Sequence, residues 1–210
     1  LAMFYGGLVR KKNVVNTMMT SIFIIGVGIV MWVLFGYSLS FAPSGNAFIG
    51  DFRWLGLEGV SLTEGYTDDA SIPNMVFSAF QMMFAVITPA LITGAVAGRM
   101  KFKSIFVFTI FWSLIVYYPL AHMVWGQGGL LGADGIGALD FAGGDVVHIS
   151  SGVSALVLCI LLGKRHDYEH SIYRIHNIPT VVLGASLLMF GWFGFNAGSC
   201  LLYTSPSPRD

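Results

Sequence analysis

Charged residues are scarce in this sequence. Asp, Glu, Lys and Arg make up 10% of its 210 residues, whereas soluble domains carry about 25%. Eleven basic residues balance eleven acidic ones, so the formal net charge is zero and binding of nucleic acid through net charge is excluded. Water is therefore not expected to be the main solvent of this protein.

Cysteine and proline are also infrequent. The two cysteines, Cys159 and Cys200, are too few for a disulfide framework and lack the spacing of a metal site. Seven prolines and an aromatic content of 14% do not indicate disorder. The sequence has no Gly-Lys-Ser/Thr phosphate loop and no nucleophile elbow, so no cofactor is expected.

Apolar residues, at 55%, are what the chain has in abundance. A bilayer core about 30 Å thick needs roughly 20 apolar helical residues to cross it, because lipid cannot pair exposed peptide groups. Five runs contain no Asp, Glu, Lys or Arg, and within them we predict helices at 16–39, 74–96, 104–124, 146–162 and 178–195. The pattern predicts an all-α, polytopic membrane protein.

Proline and glycine modify these helices. Pro89 and Pro119 fall inside predicted helices, and we expect each to kink its helix because proline has no N–H to donate. The pairs Gly94-x-x-x-Gly98 and Gly194-x-x-x-Gly198 are expected to let helices approach closely, although glycine is also simply common in membrane helices.

The few charges are sorted by loop. Nine of the eleven basic residues lie at 10–12, 99–103 and 164–174. The loops at 42–73 and 126–145 are acidic instead, and the two kinds alternate, as single crossings require. By the positive-inside rule, the basic loops are predicted to be cytoplasmic.

Both ends of the chain look incomplete. The stretch 1–7 is apolar but too short to span, so we expect an upstream helix to be cut off. The last segment, CLLYTSPSPRD at 200–210, departs from the preceding pattern, and one back-translation of it resembles a sequencing adapter. We therefore expect 1–199 to be native sequence truncated at both ends, and 200–210 to be a translated artefact.

Ionisable groups in apolar surroundings are functional candidates. His148 lies among Val and Ile residues near the start of a predicted span. It is either a structural histidine or one that lines a pore and handles protons, and a desolvated site would favour its neutral form. Asp140 and Asp145 precede the same helix, where a carboxylate either caps the helix N-terminus or attracts a cation, capping being favoured.

Aromatic residues gather at the acidic ends of the predicted spans. Trp125 alone would be an ordinary interface tryptophan. Phe80 and Phe84, however, lie one turn apart in the second span, and Phe193 and Phe195 end the last one. Converging aromatic faces attract cations by roughly 0.5–2 kcal/mol, which would suit a small, weakly hydrated monovalent cation.

Four motifs in this order resemble those of the ammonium transporter family (Amt/Mep/Rh). They are Phe4–Asn13 (FYGGLVRKKN), Ala121–Gly126 (AHMVWG), Leu139–His148 (LDFAGGDVVH) and Gly191–Ser199 (GWFGFNAGS). The third is much more specific than a lone glycine motif. The resemblance covers essentially all of 1–199, and the tryptophan motif favours the Amt/Mep branch.

The resemblance implies a fold and a set of roles. The family has eleven helices built as two inverted repeats, so this chain would supply the end of the first helix, with an outward N-terminus, and the next five. Trp125, Phe84 and Ser199 would recruit ammonium. Phe84 and Phe195 would form a phenyl gate with Phe80 nearby. His148 would be the first of two pore histidines, and Asp140 would hold the vestibule and assist cation entry.

The resemblance also implies a function. The family transports ammonium or ammonia, and sometimes methylammonium, through a pore in each subunit of a homotrimer, with PII-type signal proteins as cytoplasmic partners. Because the second repeat is absent, we expect the fragment alone to be inactive. One alternative is an ammonium sensor of the same fold. Another is a membrane-embedded metalloenzyme using His122, His148 and Asp140, although no metal-ligand spacing supports it and we expect no enzyme.

Overall fold

The computed structural model describes residues 1–43, 46–68, 70–133, 135–165, 168–170, 172 and 174–199. The segment expected to be foreign, 200–210, lies outside these residues, as do four positions of the basic loop at 164–174.

The described chain is helical, as predicted. A short helix α1 spans Ala2–Leu8. Five longer helices follow, each apolar enough to cross a membrane: α2 (Lys11–Phe41), α3 (Asn74–Val96), α4 (Phe102–Trp125), α5 (Gly144–Leu162) and α6 (Ile178–Ser199). Within the described ranges, the only β pairing is a bridge between Gly65 and Pro73. The five predicted spans are confirmed, and most extend a few residues beyond the predicted ends, because helix ends can run past the apolar run into the interface.

The two helical prolines behave differently. α3 continues through Pro89 as one helix, so no break is seen there. α4 contains a π-type turn at Ser113–Tyr117, which ends two residues before Pro119, where the missing proline N–H removes one helical hydrogen bond. Similar turns at Trp32–Gly36 and Gly144–Ile149 contain no proline and were not predicted.

A buried aromatic core packs the helices against one another. α2 packs against α3 and α4, and α3 packs against α5. Trp32, which is fully buried, donates its indole N–H to the Ser78 carbonyl at 3.1 Å. The Tyr37 hydroxyl donates to Asn74 Oδ1. These bonds pair polar groups that a lipid environment would leave unsatisfied, and they fix the start of α3 against the end of α2.

Three of the four predicted glycines make close contacts with side chains of other helices, and a Cβ on Gly98 would meet Asn13 Nδ2. A Cβ on Gly94 would meet the Tyr5 ring, one on Gly198 would meet the Phe80 ring, and one on Gly194 would meet nothing within 4 Å. Backbones approach instead where α1 crosses α6: a Cβ on Gly184 would lie 2.8 Å from Phe4 Cα. The two four-residue spacings therefore do mark close contacts between helices, although these involve side chains, and the backbone approach at Gly184 was not predicted.

The three basic loops meet at one end of the bundle. Arg10, Lys12, Arg99, Lys164 and Arg165 line a common cavity there. Arg99 donates to the Ala95 carbonyl at 2.6 Å and to the Gly163 carbonyl at 2.8 Å. It thereby pairs carbonyls at the C-terminal ends of α3 and α5, where a cation is favourable.

The α1–α6 crossing predicts unequal effects of two alanine substitutions in α6. Gly184→Ala should lower the stability of the complete protein by about 1–3 kcal/mol, because the added methyl overpacks the crossing. Gly191→Ala is the matched control, since a Cβ there meets nothing within 4 Å and alanine favours a helix. Thermal unfolding in detergent compares the two, and equal transition temperatures would contradict the crossing.

Candidate functional site

A cavity of about 320 Å³ lies at the end of the bundle opposite the basic loops. Its wall is formed where α3 begins and where α4 and α6 end. The lining side chains include Tyr66, Phe80, Gln81, Phe84, Trp125, Asp140 and Ser199. We call this cavity the vestibule. Of the seven candidate site residues from the sequence, the structure places five on its wall: Phe80, Phe84, Trp125, Asp140 and Ser199.

Phe84 is the centre of an aromatic cluster at the vestibule floor. Its side chain is 2% exposed. The Trp125 ring meets it edge-on at 5.7 Å between centroids, and the Phe80 ring does so at 5.0 Å. The Phe195 ring stacks on it at 4.3 Å, with the planes 30° apart. Phe84 lines the vestibule, and Phe195 packs on the Phe84 ring without lining the cavity itself.

His148 lies beside that stack. Its ring is 6.2 Å from the Phe195 ring and 6.3 Å from the Trp192 ring, nearly parallel to the latter at 8°. The backbone N–H of His148 bonds to the Gly143 carbonyl at 2.9 Å, within the π-type turn that begins α5. His148 is nevertheless exposed rather than buried, because the Trp192 and Phe195 rings cover only part of it.

The Asp140 carboxylate accepts hydrogen bonds from the backbone at the start of α5. One carboxylate oxygen accepts the N–H groups of Gly143 and Gly144 at 2.7 and 2.8 Å, and the other accepts those of Asp145 and Val146 at 2.8 and 3.0 Å. Four such bonds pair the N–H groups that a helix start leaves open. The geometry therefore favours the capping interpretation.

The same aspartate also positions the vestibule tryptophan. The Trp125 indole N–H donates to the Asp140 backbone carbonyl at 2.7 Å. Gly143, with φ at +84°, makes the turn that brings the following N–H groups toward the carboxylate, a conformation that glycine adopts without strain. The Asp140 turn thus links α5 to the ring at the end of α4.

Other polar groups on the vestibule wall are directed at the backbone. The Ser199 hydroxyl donates to the Phe195 carbonyl at 2.6 Å, which leaves its oxygen lone pairs able to accept. The Tyr66 hydroxyl donates to the Phe41 carbonyl at 3.0 Å. Burial raises the pKa of Tyr66 to about 12, so the phenol remains neutral.

Sequence reasoning missed three residues and misplaced one. Gln81 and Tyr66 line the vestibule, and Trp192 stacks beside His148. A lone glutamine in a charge-free span was the available signal for Gln81. Phe193, expected to join the aromatic face, is 69% exposed, because it points to a different side of α6 from Phe195.

The structure gives no support for a metalloenzyme. His122 is fully buried, and its ring nitrogens lie 3.1 Å from the Ser40 carbonyl and 2.8 Å from the Asn46 carbonyl. From its position on α4, the His122 ring therefore contacts both the end of α2 and the loop that follows α2. Both Asp140 oxygens are occupied by backbone N–H groups, and no group of three metal-ligating side chains occurs among the residues that could be described.

The vestibule can hold a small cation. Aromatic faces stabilise a desolvated cation, and the Ser199 oxygen can accept a hydrogen bond from one. Beside the stack, the His148 imidazole can both donate and accept a hydrogen bond.

Comparison with known proteins agrees with this geometry. The profile of the Ammonium Transporter Family matches residues 1–207. An ammonium transporter of Bacillus subtilis (strain 168) is 53% identical over 201 residues, covering 96% of this chain and 48% of that protein. One from Aquifex aeolicus is 46% identical over 202 residues, covering 96% of this chain and 46% of that protein. This chain thus spans about half the length of these relatives.

Solved structures show the same fold. The crystal structure of Candida albicans Mep2 superposes with a TM-score of 0.82 at 37% identity, over 94% of this chain and 44% of that one. A structure of a Sensor Amt Protein gives 0.80 at 28% identity, over 97% and 51%. With its five apolar spans, the chain is a multi-pass membrane protein that belongs to the ammonium transporter family.

Proposed function

We propose that this chain contributes the entrance and the first half of the pore of an ammonium transporter. The vestibule formed by Trp125, Phe84 and Ser199 recruits the ammonium ion, and His148 lines the path beyond the Phe84–Phe195 gate. The observation that supports the proposal is the order of the parts: a cavity with aromatic walls, the Phe84–Phe195 stack at that wall, and an imidazole next to Phe195.

The physical argument concerns selectivity. Ammonium and potassium ions are similar in size, but only ammonium has hydrogen-bond donors and a removable proton. Aromatic faces and the Ser199 oxygen replace part of the water around the cation. Beyond the gate an apolar path penalises a bare ion, while neutral imidazole can accept a hydrogen bond or a proton.

We propose that residues 1–199 are the N-terminal portion of a longer subunit and that 200–210 are a translated adapter, which a genomic read through codon 200 would test. The half-length match to the relatives supports the first part. The exposed face of His148 would then be covered by the second half. The described chain encloses His148 on one side only, so we expect no transport by residues 1–199 alone.

Orientation and assembly are further parts of the proposal. The clustering of Arg10, Arg99 and Lys164 at one end supports a cytoplasmic position for that end, with the start of the chain outward. The assembled protein would be a homotrimer, as expected from the family. A PII-type signal protein would bind at the basic, cytoplasmic end.

An ammonium sensor is the second candidate. The Sensor Amt Protein shares the fold over nearly the whole chain, so the fold does not separate the two functions. Transport is favoured because the relatives at higher identity are named transporters. Substrate uptake by the complete protein distinguishes them.

A substitution at the entrance and a substitution in the pore should change different kinetic constants. In the complete protein, Trp125→Leu should raise the KM for methylammonium roughly 2- to 30-fold, because a cation–π contact is lost. His148→Ala should lower the maximal rate roughly 5- to 150-fold, because the path loses its polar partner. Uptake and current in proteoliposomes measure both.

The control for these variants is Phe111→Leu, an exposed α4 side chain that should leave both constants unchanged. If Trp125→Leu and His148→Ala both match wild type in affinity, rate and charge moved, the proposed roles are wrong.

Asp140 should act through Trp125 and the start of α5. In Asp140→Asn an amide group replaces one oxygen, so two of the four N–H groups lose their acceptor, at about 1–3 kcal/mol each. We expect a lower unfolding temperature together with a raised KM for methylammonium. Asp145→Asn is the control, since it keeps the backbone N–H that bonds to Asp140. Equal behaviour of the two variants would refute the role of Asp140.

A further inference from the structure

Gly198, near the end of α6, is in close contact with the Phe80 ring of α3. A Cβ on Gly198 would lie 3.0 Å from Phe80 Cε2 and 3.3 Å from Phe80 Cζ, whereas carbon atoms in ordinary contact are about 3.5–4.0 Å apart. A Cβ on Gly194, one turn earlier, would meet nothing within 4 Å. The Phe80 ring thus occupies the space beside α6 that a side chain at position 198 would need.

This contact lies one helical turn nearer the end of the bundle than the Phe84–Phe195 stack. Phe80 precedes Phe84 by four residues on α3, and Gly198 follows Phe195 by three on α6, which is about one turn in each helix. Because α3 begins and α6 ends at the vestibule, both steps lead towards that end. Gly198 therefore determines how closely Phe80 approaches α6 at the vestibule.

The space open to the Phe80 ring is the vestibule, which this ring lines together with Trp125 and Ser199. The Phe84 ring meets it edge-on at 5.0 Å between centroids, a distance at which aromatic rings are already in contact. The α6 backbone lies against it at Gly198. A group that pushes the ring away from α6 would therefore move it into the cavity and narrow that cavity.

We infer that Gly198 is a specificity-determining residue: by leaving room for the Phe80 ring beside α6, it keeps the vestibule wide enough to admit a methyl-substituted ammonium ion. The inference rests on the proposed function and deepens it. Gly198 acts through Phe80 and is thus a positioning residue. An apolar site distinguishes ligands that differ by one methyl group through the space it offers, so a narrower vestibule penalises methylammonium more than ammonium.

The test measures the size preference of the complete protein in proteoliposomes. The KM for radiolabelled methylammonium is divided by the inhibition constant of unlabelled ammonium against the same uptake. In Gly198→Ala this ratio should rise roughly fivefold or more over wild type, because the displaced ring penalises the extra methyl group. Gly194→Ala is the matched control on the same helix, and it should leave the ratio unchanged.

A second substitution assigns the effect to Phe80. Leucine lacks the ring atoms Cε2 and Cζ that approach position 198, so Phe80→Leu should widen the vestibule and lower the ratio below that of wild type. Adding Gly198→Ala to Phe80→Leu should then change the ratio less than about twofold. A merely structural role of Gly198 would not make its effect on the size preference depend on residue 80.

Each outcome decides one question. If wild type takes up no methylammonium, the proposed function itself fails. If wild type transports and Gly198→Ala keeps the wild-type ratio, or changes it equally when Phe80 is leucine, the inference about Gly198 fails while the function stands. If Gly198→Ala does not fold, Phe80→Leu alone decides: a lowered ratio supports the inference, and an unchanged ratio overturns it.

Discussion

The stack of Phe84 on Phe195, with centroids 4.3 Å apart, is the contact on which the site depends. It joins α3 to α6 and connects Phe84, on the vestibule wall, with Phe195, whose ring lies 6.2 Å from the His148 ring. The distance requires that α3 and α6 be held firmly in place. The core around Trp32 positions the start of α3, and the glycine crossing of α1 and α6 positions the start of α6.

Electrostatics near this contact follow from the cost of placing charge in an apolar medium. Basic side chains cluster at the opposite end, where Arg99 pairs helix carbonyls. The carboxylate close to the vestibule, Asp140, is surrounded by four N–H groups. Its backbone carbonyl accepts the Trp125 indole N–H and so holds that ring in position.

The sequence predicted the spans well, because crossing a bilayer imposes both length and apolarity on a helix. Motifs that resemble a known family also predicted that Trp125, Phe84 and Ser199 contribute to one site. The structure places all three on the wall of one cavity. It did not predict the π-type turn before His148, the Gly184 crossing or the position of Gln81. These depend on which side of a helix meets which neighbour, and helical periodicity in a uniformly apolar span carries little information about that.

The most direct test is a high-resolution structure of the complete protein determined with and without ammonium. The account predicts ammonium-dependent density in the vestibule within about 6 Å of the Trp125 and Phe84 ring centres, next to the Ser199 oxygen, with His148 facing a lumen enclosed by the second half. A structure in which Trp125, Phe84 and His148 face lipid, or in which ammonium binds elsewhere, would contradict it.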